Sequence, residues 1–305
     1  MTTPSSVARA TTRPLARIEP YLLCAIGAAY IVLLVIVPMI RGISLSFTAT
    51  TLLNPTFGQY VGLANYQRLL TSGAFWSSLS VSLVYCFCTV AVSLVLGTIA
   101  AVLINRKFAG RGLVRALLIV PWAMPTVAIY LLFRWMYNDS SGVFNRLSSA
   151  LGFGRHGWLT DPNLALWSVL VATIWKVLPF VMLIVLAALQ SIPEELYEAS
   201  RVDGADPLSS FKTVTLPHLR PTIRVVTLLM TIWSFRQFDL LYLLTGGGPN
   251  GRTNTLVVDL YQDAFQSNEL GSASAIGVIG IVFSLGVTVI FFLAERRSIL
   301  RGGSR

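Results

Sequence analysis

The chain has 305 residues, of which 54% are hydrophobic and 12% charged, with a mean hydropathy of +0.70 and a formal net charge of +10. Soluble domains carry roughly a quarter charged residues, so this composition excludes an ordinary soluble core and requires a bilayer as solvent. The three cysteines, Cys24, Cys86 and Cys88, fall in apolar segments, where a thiol packs as a small hydrophobe. The two histidines, His156 and His218, lie in loops far apart in the sequence, which leaves no metal-ligand spacing.

A helix crossing about 30 Å of hydrocarbon needs about 20 apolar residues. Six segments meet that requirement, at 21–40, 79–104, 113–135, 164–189, 223–244 and 273–293. Their lengths and their lack of strict two-residue alternation predict an all-α membrane protein with six transmembrane helices and not a β-barrel. The first segment follows Arg9, Arg13 and Arg17. Its apolar run exceeds the roughly 7–15 residues of a signal peptide, so an uncleaved span is expected.

The basic residues alternate with the crossings. Arg106, Lys107, Arg111 and Arg115 separate the second and third segments; Arg201, Lys212, Arg220 and Arg224 separate the fourth and fifth; Arg296, Arg297, Arg301 and Arg305 follow the sixth. The intervening loops hold only Arg41 and Arg68, then Arg146 and Arg155, then Arg252. This is the positive-inside pattern, so both termini are expected in the cytoplasm. A nucleic-acid partner is excluded, because a basic patch for phosphates would not alternate with each crossing. The expected domains are a cytoplasmic tail at 1–17, a first span and external loop at 18–78, a transmembrane core at 79–295 with a cytoplasmic loop at 191–221, and a second tail at 296–305.

The outer loops are expected to be ordered. Residues 44–78 are too polar to span, and 139–163 hold Gly142, Gly152, Gly154, Gly157 and Pro162. Thr245-Gly246-Gly247-Gly248-Pro249 must end the fifth span, since three glycines and a proline cannot continue a helix. Residues 253–265 read as a short amphipathic surface helix.

The cytoplasmic loop is the most structured. Ser191-Ile192-Pro193-Glu194 has capping-box spacing, and Glu194, Glu195 and Glu198 suit the positive end of a helix. Ala199 and Ser200 are small enough to let another chain approach. Gly204 reads as the C-terminal stop, and Asp206-Pro207 as the N-cap and first position of a second helix. Leu208, Phe211 and Val214 are expected to share an apolar face, with Pro217 and Pro221 ending the helix before the fifth span. Physics alone leaves open a well-capped surface hairpin or a grip for a partner.

The spacing decides further. Glu198-Ala199-Ser200, three residues, Gly204, nine residues, then Val214-Thr215-Leu216-Pro217 closely resembles the EAA signature of ABC importer permeases. It departs at Ser200, for the second alanine, and at Val214, for isoleucine. Val61-Gly62-Leu63-Ala64-Asn65-Tyr66, Trp158-Leu159-Thr160-Asp161-Pro162, Leu189-Gln190-Ser191-Ile192-Pro193 and Thr245-Gly246-Gly247-Gly248-Pro249 are similar to landmarks of the maltose-type carbohydrate permeases, over residues 20–295. The resemblance implies a type I importer permease in a bacterial cytoplasmic membrane. It implies a second homologous permease, two ATPase subunits and an extracytoplasmic sugar-binding protein as partners. Glu198, Ala199, Ser200, Asp203, Gly204, Ala205, Leu216 and Pro217 would then couple the chain to the ATPase. No cofactor is expected in this chain, since it carries no Gly-x-x-x-x-Gly-Lys-Ser/Thr phosphate loop. ATP and Mg would belong to the ATPase subunits. The excess of Arg over Lys fits a GC-rich, actinobacterial genome, and with the landmarks it points toward trehalose or a related disaccharide.

Charges inside spans are costly, at roughly 2.5–3.5 kcal/mol each near the bilayer centre. Lys176, Arg236 and Asp239 are therefore candidates for a polar pathway, and Trp175, Gln237 and Tyr242 add a ring face and hydrogen-bonding groups for a sugar. The alternative is structural: Arg236 and Asp239, three apart, neutralise one another, and Lys176 pairs with a neighbouring helix. Trp233 reads as a packing or interface residue and Arg134 as a snorkelling residue. Pro121, Pro125 and Pro179 permit kinks. An ATP-independent transporter or channel is the alternative function, but it would not need the capped hairpin. An intramembrane enzyme is disfavoured, because neither histidine lies in a span.

Overall fold

The computed structural model describes residues 24–55 and 58–302. Arg9, Arg13, Arg17, Arg305 and the first three residues of the expected span at 21–40 lie outside the described residues. The chain is helical almost throughout, with only two isolated β-bridges, Thr48 to Tyr60 and Thr51 to Asn54, among the described residues.

Four helices are long and apolar enough to cross a membrane: α1 (Cys24–Leu45), α3 (Gly73–Asn105), α7 (Ala165–Gln190) and α13 (Leu270–Gly302). A short helix α2 (Ala64–Thr71) precedes α3. The expected third span is two helices, α4 (Arg111–Ala123) and α5 (Thr126–Met136), bent by 98°. The break is at Met124, which is extended (φ −74°, ψ 139°). Pro125 follows it, and a proline drives the residue before it out of the helical region. The expected fifth span is also divided. It comprises α10 (Leu216–Phe235) and α11 (Asp239–Thr245), with Arg236, Gln237 and Phe238 between them. Four spans, or five with the bent pair counted as one, therefore meet the length and hydropathy criteria.

The centre is the α3–α7 pair. Thr89, Ser93, Gly97 and Ala101 recur every four residues along α3 and are all buried. At Gly97 a Cβ would lie 2.7 Å from Val181 Cγ1 of α7. Small residues at this spacing let two backbones approach closely, which is how helices associate without a hydrophobic driving force. Half of the apolar window of α7 is buried inside the chain, against 6% for α13 and none for α1. α4 and α10 pack on α7, while α13 packs on α1, α2 and α12 (Leu256–Phe265).

Two prolines follow widened turns. Val32–Ile36 and Phe211–Thr215 are π-helical, and Pro38 and Pro217 each follow two residues later. A proline lacks an N–H and its ring clashes with the carbonyl four residues back. The wider turn relieves that clash without breaking the rod. Pro217 and Pro221 thus do not end the helix, as the sequence reading expected; both lie within α10.

At the end opposite the basic loops, α6 (Val143–Ala150) presents Asn145 as a hub. Its side chain accepts from His156 N–H at 2.8 Å and Trp158 Nε1–H at 3.0 Å, and donates to His156 O at 2.9 Å. Gly246 (φ +61°) caps α11, and Leu256 N–H donates to Ser82 Oγ of α3 at 2.9 Å.

Candidate functional site

A cavity of about 440 Å³ opens between α3, α4, α7 and α10. Trp122, Phe180 and Trp233 form an aromatic wall, with ring centroids 6.0 Å apart for the first pair and 4.9 Å for the second. Lys176, Arg236 and Gln237 supply the polar rim, and Tyr85 and Thr173 the floor. Tyr85 OH lies 2.8 Å from Thr173 Oγ1, and Thr173 Oγ1 donates to Val169 O at 2.9 Å, so both hydroxyls are fixed. Lys176 Nζ donates to Thr126 Oγ1, the first residue after the Pro125 break. The bend therefore brings α5 to the cavity.

The structure gathers only part of the set expected from the sequence. Lys176 and Gln237 line the cavity; Trp175, Asp239 and Tyr242 do not. Trp175 packs edge-on against Phe133 at 5.5 Å, and Tyr242 packs in a three-ring cluster with Phe238 and Tyr261. Asp239 interacts electrostatically with Lys176. Arg236 and Asp239 do not share a helix face, because α10 ends at Phe235 and α11 begins at Asp239. They form no ion pair among the described residues. Trp233, read as a packing or interface residue, is half exposed and lines the cavity. Trp122 and Phe180 were missed, although each follows a proline, Pro121 and Pro179. Arg134 lies over the Tyr130 ring, 5.5 Å from its centroid.

The second candidate is the hairpin at the basic end, made of α8 (Glu194–Val202) and α9 (Pro207–Ser210). Asp206 is the N-cap of α9; its carboxylate accepts the Ser209 N–H at 2.8 Å. These hydrogen bonds from Ser209 hold the Asp206 carboxyl below the usual carboxylate range. Gly204 ends α8 with φ +78°, and Ala205 N–H returns to Ser200 O at 3.0 Å. The capping box at Ser191 does not form. Ser191 Oγ donates back to Ala188 O at 2.8 Å, and Pro193 takes the cap position of α8 without a side-chain bond.

Glu198, Ala199, Asp203 and Gly204 are exposed on the hairpin. Ser200 instead faces inward, its Oγ 2.7 Å from Ser210 Oγ, and so joins the two helices. Leu216 and Pro217 are half-buried, at the start of α10. Leu208 does not share an inward face with Phe211 and Val214; it is 59% exposed, and Val202 beside the turn is 87% exposed. Both apolar side chains are therefore open to solvent at the charged tip. Glu198 and Arg201 lie 3.9 Å apart, an exposed pair that contributes little.

Residues 93–299 match the family described as binding-protein-dependent transport system inner membrane component. The chain belongs to that family. It is a multi-pass inner-membrane permease subunit of a binding-protein-dependent ABC importer, and not itself the ATPase. It is 39% identical over 237 residues to the trehalose/maltose transport system permease protein MalF of Thermococcus litoralis, covering 78% of this chain and 80% of that one. It is 34% identical over 292 residues to the diacetylchitobiose uptake system permease protein DasB of Streptomyces coelicolor, covering 93% and 88%. A bacterial ABC transporter that imports the acidic polysaccharide alginate has the same fold, with a TM-score of 0.81 at 23% identity over 93% of this chain and 99% of that one. Among the described residues no group of three or more His, Cys, Asp or Glu side chains could hold a metal ion.

Proposed function

We propose that the importer carries a carbohydrate, a di- or oligosaccharide such as trehalose, and that the cavity walled by Trp122, Phe180 and Trp233 is a station on its path. The observation that carries this reading is the pairing of an aromatic wall with Lys176, Arg236 and Gln237 in one space of about 440 Å³. Sugar rings present apolar faces and hydroxyl edges, and sites of roughly 300–1,000 Å³ lined by aromatics with a few fixed polar groups suit them. The names of the relatives point the same way, since they transport trehalose, maltose and diacetylchitobiose.

In this reading α10 and α11 together make a broken fifth span, α13 is the sixth, and both termini are cytoplasmic. A second permease completes the pathway, two ATPase subunits sit below, and an external binding protein delivers the sugar. Glu198, Ala199, Asp203 and Gly204 form the face that enters the ATPase, with Val202 and Leu208 as its apolar contacts. Ser200 and Ala205 hold the turn, and Leu216 and Pro217 set the direction of α10. Trp175, Asp239 and Tyr242 act from behind the cavity wall.

The test is ATP-driven uptake of labelled trehalose and maltose by the complete importer in liposomes. Trp233→Ala and Lys176→Ala at equal abundance are expected to lower uptake about tenfold or more, each by removing one ring face or one charge-assisted hydrogen bond. Uptake at the wild-type rate in both variants would remove the cavity from the pathway.

A further inference from the structure

A second cavity, of about 420 Å³, lies at the basic end between the α3–α4 turn, the end of α7 and α8. Lys107, Arg111 and Arg201 line it together with Gln190, Tyr197 and a single carboxylate, Glu194. No ion pair joins these cations to Glu194 among the described residues; Arg201 instead lies 3.9 Å from Glu198. One turn along α4 from Arg111, on the same face, Arg115 holds Nε and Nη2 out of solvent with no hydrogen-bond partner. Buried guanidinium nitrogens without an acceptor are costly, so the face of α4 that borders the cavity would gain from an anion beside it. Beside it, Phe108 and Val114 are 45% and 38% exposed. Val114 follows Arg111 by one turn, so apolar surface adjoins the cations directly.

We propose that this cavity binds the phosphodiester headgroup of an anionic phospholipid of the cytoplasmic leaflet, with an acyl chain along Phe108 and Val114. The chemistry is a basic pocket where the ends of α3, α4 and α7 meet α8, on the side that the charge pattern makes cytoplasmic, and basic pockets on that side suit anionic headgroups. An inorganic phosphate would use the cations but leave the apolar strip bare. The bound headgroup would touch both α4 and, through Tyr197 and Arg201, the first helix of the hairpin. The lipid would thus steady α8 against the membrane. The inference rests on the orientation given by the charge pattern, and not on the identity of the sugar.

The experiment is native mass spectrometry of the complete importer, delipidated and then titrated with phosphatidylglycerol, phosphatidylcholine or inorganic phosphate. Wild type is expected to retain phosphatidylglycerol selectively over phosphatidylcholine, a comparison that needs no variant. Each basic residue near an anionic surface contributes about fivefold in affinity. The pair Arg111→Gln and Arg115→Gln should therefore weaken retention about 25-fold, while Arg111→Lys keeps most of it. Equal retention of both lipids by wild type, or unchanged retention by the double variant, would overturn the proposal. Displacement of the lipid by millimolar phosphate would assign the site to a free anion instead. Loss of the ATPase subunit from the double variant, with lipid retention intact, would assign these cations to the subunit contact.

Discussion

At Gly204 the backbone takes φ +78°, and an added Cβ would meet nothing within 4 Å. The two facts separate conformation from contact. Alanine there incurs about 1–2 kcal/mol of backbone strain but no clash within the chain, whereas aspartate, which tolerates this region better, adds bulk and charge to the exposed face. Gly204→Asp is therefore expected to leave the permease inserted at normal abundance yet reduce co-purification of the ATPase and binding-protein-stimulated ATP hydrolysis. Wild-type values for both would mean that the hairpin face meets no partner at this position. Asp206 makes a second residue-scale prediction. Its folded pKa is depressed by Ser209, so the cap is fully present above the ordinary carboxylate value, about 4, and is lost as pH falls through the lower folded value. Amide exchange at Ser209 and Ser210, corrected for its intrinsic pH dependence, should stay slow at pH 5 and quicken only in stronger acid. Asp206→Asn, which caps without titrating, should abolish that acid-side change.

Among the elements, α3 and α7 depend on Gly97. A Cβ added there would meet Val181 Cγ1 at 2.7 Å, Val181 Cβ at 2.8 Å and the backbone nitrogen of Met182 at 3.2 Å, and the last cannot rotate away. Gly97→Val should cost roughly 1–3 kcal/mol of overpacking and appear as reduced membrane abundance, with Gly97→Ala intermediate; normal thermal stability of the purified valine variant would contradict this packing. The π-helical turn before Pro217 gives a different expectation. Pro217→Ala restores a donor and removes the ring clash, so Phe211–Thr215 can tighten to α geometry and turn the hairpin about the α10 axis. Transport should fall while abundance holds, measured by uptake at matched expression. These elements differ in how far their residues announced them. The Asp206-Pro207 start and the Gly204 stop were legible because capping is decided within four residues. Ser191 misled because its hydroxyl had two backbone choices, and the preceding helix supplied the nearer carbonyl. Pro125 was visible as a kink, but a 98° bend is set by what α5 packs against. The cavity was least legible, since Trp122, Phe180 and Trp233 come from three helices and no spacing along the chain relates them.

For the whole molecule, the charge pattern makes a direct prediction. Reporter fusions after Arg115, Leu208 and the C-terminus should read cytoplasmic, and fusions at Asn54, Gly154 and Asn254 external; a cytoplasmic reading at Gly154 would defeat the six-span arrangement. The uneven burial also has a consequence at this scale. α1 and α13 keep nearly all their apolar surface outside the chain, while α7 lies at the centre. α7 carries Lys176 and Phe180 in the cavity and runs unbroken to Gln190, four residues before the hairpin begins at Glu194. Pro179 does not interrupt it. From Lys176 to Gln190 the rod measures about 21 Å at 1.5 Å per residue. A rocking of about 5° about the cavity would therefore carry its far end sideways by about 2 Å, more than half the diameter of a carbon atom. The cavity and the root of the hairpin thus lie on one rod, so a tilt at the first displaces the second.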